Sequence, residues 1–165
     1  RGGSAEGARY RVPHDGEVIS RMKVVAVSGG FDPIHIGHLR MFQEARALGD
    51  RLVVILNNDY WLTKKKGFVF MPQEERAEII AAFPFVDEVV LTVHEEGSED
   101  RSICKELELL KPHIFANGGD RRNEDEIPES AVCRENGIEM VFNVGRGGKV
   151  QSSSWLTDKL KQYEA

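Results

Sequence analysis

The chain has 165 residues, which fits one ordinary domain, because compact domains commonly contain about 100–150 residues. It carries 27 acidic and 22 basic residues, a formal net charge of −5, which argues against a general polyanion-binding protein. We therefore expect no nucleic-acid partner, although local basic clusters can still bind small phosphates.

The two cysteines, Cys104 and Cys133, form no CxxC pair, and no signal-peptide core or long apolar run is recognisable. A single disulfide between them is the less favoured alternative, because soluble intracellular chains rarely carry one. We expect a cytoplasmic location and no association with a membrane.

Residues 1–21 begin with RGGSAEG and have no clear hydrophobic period. They are predicted to be a flexible tail or linker that precedes one domain over residues 22–165. A cloning remnant, a linker from a longer polypeptide and a native extension all remain open.

From Val24 onward, short apolar runs alternate with segments of helical character, as expected when parallel strands are covered by helices on both faces. The predicted strands are Val24–Ser28, Leu52–Asn57, Glu88–Thr92, His113–Asn117 and Glu139–Asn143. This pattern predicts a single α/β domain, a Rossmann-like doubly wound parallel five-stranded sheet with helices on both faces.

Helices are predicted between the strands and after the last one, with ends placed by glycine, proline and capping serines. The predicted helices cover about residues 37–48, 72–83, 101–110 and 128–136, and a last one begins in Ser152–Ser154. The stretch after the second strand, which contains Lys64–Lys66, is predicted to be a loop.

The first predicted strand ends in the run SGGFDP, Ser28–Pro33, and His35 and His38 follow as the helix starts. In open α/β sheets, ligands bind outside the carboxyl ends of the strands, and a helix N-terminus offers unpaired N–H groups to phosphate. Two neighbouring imidazoles can donate N–H bonds to phosphate oxygens during nucleotidyl transfer. Three glycines give the ligand room: Gly29, Gly30 and Gly37.

From these residues alone, other interpretations stay open. His35 could cap the helix while His38 satisfies a nearby backbone group. A zinc site is weakly supported, because HxxH has no further ligand beside it. The glycine-rich turn contains neither GxGxxG nor GxxxxGK[ST], which excludes a dinucleotide fingerprint and a Walker loop.

The run GGFDPIHIGHLRMF, Gly29–Phe42, resembles the signature of the HxGH nucleotidylyltransferase superfamily. That superfamily includes cytidylyltransferases for glycerol 3-phosphate and phosphocholine and heptose-phosphate adenylyltransferases. Three later segments are also similar to it: QEERAEIIAAFPFVDEVV, KPHIFANGGDR and QSSSWL. The resemblance spans about Val24–Leu160. Class I tRNA synthetases also contain the letters HIGH, but this chain has no recognisable KMSKS loop.

The resemblance implies that His35 and His38 contact the phosphate chain of a nucleoside triphosphate, with Gly30, Phe31 and Asp32 forming the turn beside it. It implies no metal site built by the protein. Magnesium would instead be carried by the nucleotide and water, in keeping with its reluctance to shed its hydration shell.

The resemblance also implies contacts from later segments. Within the lysine run, Lys64 and Lys66 are favoured as catalytic groups and Lys65 as a possible phosphate contact. Residues expected to border the nucleoside are Gly118, Gly119, Asp120 and Arg121. Residues expected at the phosphates are Ser152 and Ser153, with Arg76, Arg146 and Lys149 as further possible contacts. N-capping by the serines, a turn-forming Asp120 and a packing role for Arg76 remain alternatives.

The activity implied is transfer of NMP from a nucleoside triphosphate to a phosphorylated small molecule, such as a sugar or polyol phosphate, with release of pyrophosphate. The sequence slightly favours CTP as donor, and ATP with a heptose-like sugar 1-phosphate is the close alternative. An alternative of another class is a nucleotide-binding regulator without turnover. The resemblance further implies a homodimer.

Overall fold

The computed structural model describes residues 22–118, 127–145 and 152–163. One parallel sheet contains the strands β1 (Val24–Gly29), β2 (Arg51–Leu56), β3 (Glu88–Leu91), β4 (Ile114–Gly118) and β5 (Glu139–Val144). The predicted strands are confirmed in number, order and position, because buried parallel strands are continuous apolar runs.

The described helices are α1 (Ile36–Arg46), α2 (Asp59–Lys66), α3 (Gln73–Ala81), α4 (Cys104–Leu110), α5 (Ser130–Glu135) and α6 (Ser153–Tyr163). The predicted helices correspond to α1 and to α3–α6, with ends that differ by at most three residues. None of these helices combines the length and apolar character needed to cross a membrane.

The prediction of a loop around Lys64–Lys66 is wrong, because these residues form the last turn of α2. The Asn58 side chain caps this helix by accepting from the Trp61 N–H at 3.1 Å. Gly67 ends it in the left-handed region at φ 83°. A cap, an acid in the first turn, bases in the last turn and a terminal glycine all mark a helix. The polar character of α2 obscured these signals.

The strand order is β3-β2-β1-β4-β5, so β1 lies between β2 and β4. Val25 pairs with Leu52 on one side and with Ile114 on the other. The chain runs outward from β1 to β3 and then returns to place β4 on the opposite side of β1. The sheet therefore has its topological switch point between β1 and β4, where open α/β sheets bind ligands.

Apolar side chains fill both faces of the sheet, because successive residues of a strand point to opposite faces. Val25 and Val27 belong to a cluster that also contains Phe42 of α1. Ala26 belongs to the other cluster, with Leu107 of α4 and Cys133 of α5. Helices therefore cover both faces, which confirms the doubly wound architecture. Within the described ranges, Cys104 and Cys133 are thiols and no disulfide joins them.

Candidate active site

Two stacked imidazoles stand at the start of α1. The Nδ1 atom of His35 accepts from the Gly37 N–H at 3.0 Å, and the Nδ1 atom of His38 accepts from the His35 N–H at 3.2 Å. The ring centroids are 3.6 Å apart. Since each Nδ1 accepts, the proton of each neutral ring lies on Nε2. Capping the helix and donating to phosphate use different nitrogens, so the two interpretations of His35 and His38 are compatible.

The surroundings of the pair favour neutral rings. Burial, the neighbouring His35 and the charge of Lys66 lower the pKa of His38 to about 3. Burial and Lys66 also lower the pKa of His35. The unliganded site therefore offers two neutral N–H donors near neutral pH. A bound polyphosphate would shift both pKa values upward, because a nearby negative charge stabilises the imidazolium form.

The low pKa of His38 makes stability depend on pH. Its folded-state pKa of about 3 lies below the ordinary 6.5, so the unfolded chain binds this proton more tightly. The contribution of the neutral His38 ring to the free energy of unfolding is fully present above pH 6.5. It is lost as the pH falls toward the folded-state pKa. We expect about 2 kcal/mol of unfolding free energy to be lost through His38 between pH 6.5 and 5.

Denaturant unfolding at a series of pH values, compared with a His38→Asn variant, measures this contribution. The asparagine oxygen can still accept from the His35 N–H, but the side chain does not titrate. The variant is expected to lose less stability on acidification than the parent protein, since all carboxylates are common to both. Parallel stability curves for the two proteins would show that His38 is not held in the neutral form.

Asp32 organises the turn between β1 and α1 from a buried position. Its carboxylate accepts from the N–H groups of Phe70 at 2.7 Å and Met71 at 2.6 Å. Its carbonyl oxygen accepts from the Lys66 amino group at 3.0 Å. Asp32 therefore binds the loop before α3 with its side chain and brings Lys66 to the turn with its backbone.

Phe31 lies buried in the turn, and its backbone is in the left-handed region at φ 49°. Its ring meets the His38 ring edge-on, with centroids 4.9 Å apart. A Cβ atom at Gly29 would lie 2.9 Å from the Phe31 ring, and one at Gly30 would lie 2.8 Å from Leu62. A side chain at either glycine would therefore force Phe31 or Leu62 to shift.

The three lysines of α2 point to different surroundings. Lys66 lies at the turn beside the histidines, where burial and the charge of Arg76, opposed by Asp32, lower its pKa. Lys64 pairs with Glu99 at 2.7 Å, and the Lys65 amino group lies 4.6 Å from the Trp61 ring centroid. Residues two apart on a helix point about 200° apart, so Lys64 and Lys66 occupy opposite sides. The structure brings Lys66 to the histidine pair and directs Lys64 to the segment after β3.

Arg76 is completely buried. Its guanidinium donates to the carbonyl oxygens of Gly30, Asn57 and Met71 at 2.7–2.8 Å and pairs with the Asp59 carboxylate at 2.7 Å. These contacts favour the packing alternative for Arg76 over a phosphate contact.

A cavity of about 250 Å³ opens at the switch point between β1 and β4. Its lining residues are Ser28, Gly29, Gly30, Phe31, His38, Met41, Ala116, Asn117 and Gly118. A Cβ atom at Gly118 would lie 2.6 Å from the Met41 sulfur, so a larger residue here would displace the Met41 side chain. Met41 and Asn117 were missed by sequence reasoning. Two features of the sequence indicate them. Met41 lies three residues after His38 in α1, and Asn117 lies at the end of β4.

The start of α6 reaches the same turn. The Ser153 hydroxyl donates to the Pro33 carbonyl at 2.9 Å, and the Ser152 hydroxyl accepts from the Trp155 N–H at 3.4 Å. Ser152 thus caps α6, and Ser153 joins the start of this helix to the turn that precedes α1. The other predicted contacts lie outside the described residues: Gly119, Asp120, Arg121, Arg146 and Lys149.

The expectation that magnesium is carried by the nucleotide stays a prediction. The described ranges hold no cluster of three or more side chains suited to binding a metal ion. Both carboxylate oxygens of Asp32 already accept backbone N–H bonds. Magnesium readily keeps several waters and binds through substrate phosphates, which needs no protein cage.

The chain is similar in sequence to several known proteins. A family model described as cytidylyltransferase-like matches residues 26–132. The FAD synthase of Ferroglobus placidus is 38% identical over 105 residues, which are 64% of each chain. The bifunctional protein HldE of Pelobacter propionicus is 36% identical over 139 residues, 83% of this chain and 25% of HldE. The chain therefore spans about a quarter of the length of this bifunctional relative.

A solved structure with the same fold is the lipopolysaccharide core biosynthesis protein from Thermoplasma volcanium GSS1. Its TM-score is 0.63 at 24% identity, over 76% of this chain and 99% of that chain. This similarity shows the shared architecture alone.

Proposed function

The chain belongs to the cytidylyltransferase-like family of nucleotidyltransferases, and from that premise we propose that it transfers AMP from ATP to a phosphorylated small molecule. The observation that carries the proposal is the stacked histidine pair. Its Nδ1 atoms are engaged by the backbone, which leaves both Nε2–H groups as donors. His38 lines the cavity at the switch point, and Lys66 and Ser153 bond to the turn that precedes α1.

The choice of ATP rests on the relatives. FAD contains an adenylyl group, so the name of the Ferroglobus relative favours an adenylyl donor. The run ANGGDR is similar to heptose-phosphate adenylyltransferases, which supports the same choice. CTP, which the sequence slightly favoured, stays the alternative donor, supported by the description of the matching family model.

In the proposed reaction, an oxygen of the acceptor phosphate attacks the α-phosphorus of ATP in line. A new P–O–P bridge forms as the bond to the β-phosphate oxygen breaks, and its electron pair leaves with pyrophosphate. The attacking oxygen is ionised near neutral pH, so the protein mainly aligns the groups and neutralises charge. His35 and His38 donate from Nε2, and Lys66 supplies a positive charge. Magnesium bound to the triphosphate would neutralise further negative charge.

The acceptor is proposed to be a sugar or polyol phosphate, with a flavin phosphate as the second candidate because one relative is named FAD synthase.

By family resemblance we also propose that the protein is a homodimer, which light scattering tests. The cytoplasmic location stays a prediction.

Thermal-shift titration with ATP, CTP, GTP and UTP, each with magnesium, identifies the donor. A ligand that binds only the folded protein stabilises it by about 2.7 kcal/mol at 100 times its Kd. We expect ATP to raise Tm most. An equal or larger shift with CTP would reverse the choice of donor.

Pyrophosphate release with the preferred nucleotide and a panel of sugar, polyol and flavin phosphates then tests turnover. We expect release with at least one class of acceptor. A nucleotide-induced shift in Tm without release for any acceptor would instead favour the nucleotide-binding regulator.

A further inference from the structure

Four segments of the chain meet at the buried guanidinium of Arg76. Its Nη1 atom donates to the carbonyl oxygens of Gly30, after β1, and Asn57, after β2. Its Nε atom donates to the Met71 carbonyl, before α3, and its Nη2 atom pairs with Asp59, the first residue of α2. One side chain thus joins the carboxyl ends of two central strands to the start of the lysine-bearing helix.

A second set of contacts fixes the segment before α3 and joins α3 to α2. Met71 is held twice, by the Asp32 carboxylate at its N–H and by Arg76 at its carbonyl oxygen. The Asp59 N–H also donates to the Gln73 side chain at 2.9 Å, which ties α2 to α3. These bonds therefore restrict the movement of helix α2 relative to the turn after β1.

We propose that Arg76 is a positioning residue for nucleotidyl transfer, which holds α2 against the turn after β1 and thereby places Lys66 beside His35 and His38. The inference rests on the proposed function. Arg76 is fully buried and its four bonds go to protein groups, so it acts through the groups it holds and does not touch the substrate. Small misplacements of reacting groups cost about 10²-fold in rate, which makes such a framework important for turnover.

Arg76 also acts on Lys66 through its charge. The charged and titratable groups that face Lys66 are Asp32 of the turn, Arg76 of α3, and His35 and His38 of α1. Burial lowers the pKa of Lys66, Asp32 raises it and Arg76 lowers it. A protonated Lys66 is required in the proposed reaction, so activity falls as the pH rises through this pKa. Removing the Arg76 charge raises that pKa and moves the alkaline limit of activity to higher pH.

The test compares Arg76→Lys, which keeps the charge but loses the forked donors, with Arg76→Gln, which loses the charge. Arg46→Lys is the matched control, because Arg46 donates to the Gly49 carbonyl and pairs with Asp87 at the amino end of the sheet. We expect kcat of Arg76→Lys to fall by about 10- to 100-fold, with a smaller change in KM. The alkaline limit is expected to rise for Arg76→Gln and to stay in place for Arg76→Lys.

If the parent protein releases pyrophosphate while kcat of Arg76→Lys stays within twofold of the kcat of Arg46→Lys, the inference about Arg76 is overturned and the proposed function is not. The inference is also overturned if the alkaline limits of Arg76→Gln and the parent coincide. If the Arg76 variants do not fold, Asp59→Asn removes the ionic partner of the guanidinium. A several-fold lower kcat in that variant supports the inference, and an unchanged kcat overturns it. Absence of release by the parent with every donor and acceptor overturns the proposed function as well.

Discussion

Replacing His38 with alanine is expected to lower kcat for pyrophosphate release by roughly 10²–10³, the loss seen when one preorganised oxyanion donor is removed. The reason is geometric. The Nδ1 atom of His38 is engaged by the His35 N–H, so Nε2–H is already oriented before substrate binds. The low pKa of His38 keeps the ring neutral until the phosphates arrive. Steady-state kinetics with the preferred nucleotide and acceptor measure the effect.

His35→Ala is expected to cause a loss of the same order, because His35 provides the second Nε2–H donor of the stacked pair. It also removes a helix cap, which costs about 1 kcal/mol of stability, so unfolding must be measured alongside activity. Unchanged turnover in both variants would exclude the assigned role of the pair.

His38→Asn separates the loss of the donor from local unfolding of the helix start. The amide oxygen can keep the bond to the His35 N–H, while no N–H remains at the position of Nε2. The matched control is His113→Asn, because the exposed His113 ring likewise accepts from a backbone N–H, that of Val24 at 3.0 Å. We expect His38→Asn to lose activity and His113→Asn to retain it.

The sheet was predictable because its physical signal is continuous along the sequence. The second strand contains a run of five apolar residues, Leu52 to Leu56, and β2 is buried over its whole length after Arg51. Helix α2 lacks such a signal, since Leu62 is its one buried residue. What fixes α2 is capping at Asn58 and Gly67 together with its contacts to Arg76 and Asp32.

The candidate site was predictable where it lies in one short segment. The glycines and histidines between β1 and α1 are neighbours in sequence and remain neighbours in space. The choice among Lys64, Lys65 and Lys66 depends on the phase of a helix that the sequence did not predict. Met41 and Gly118 lie far apart in the sequence. They meet only because β4 lies beside β1. Contacts of this kind follow from strand order, which no local motif specifies.

Replacing Lys66 with alanine is expected to lower kcat/KM by about 30- to 150-fold, which corresponds to losing a charged hydrogen bond of about 2–3 kcal/mol. The Lys66 amino group is held at the Asp32 carbonyl, beside the histidine pair, where we expect the phosphates of the donor to bind. Partial burial makes its charge more effective than one in open solvent. Kinetics at a pH well below the alkaline limit of activity keep Lys66 protonated in the parent and give the clearest comparison.

Lys64→Ala distinguishes a specific role of Lys66 from a general effect of positive charge on α2. Lys64 is paired with Glu99 on the opposite side of the helix, so its loss is expected to lower kcat/KM several-fold less than the loss of Lys66. Lys161→Ala, which removes an exposed lysine of α6 paired with Asp158, controls for net charge. A larger effect at Lys64 than at Lys66 would place the phosphate contact on the side of α2 that faces Glu99, away from the histidine pair.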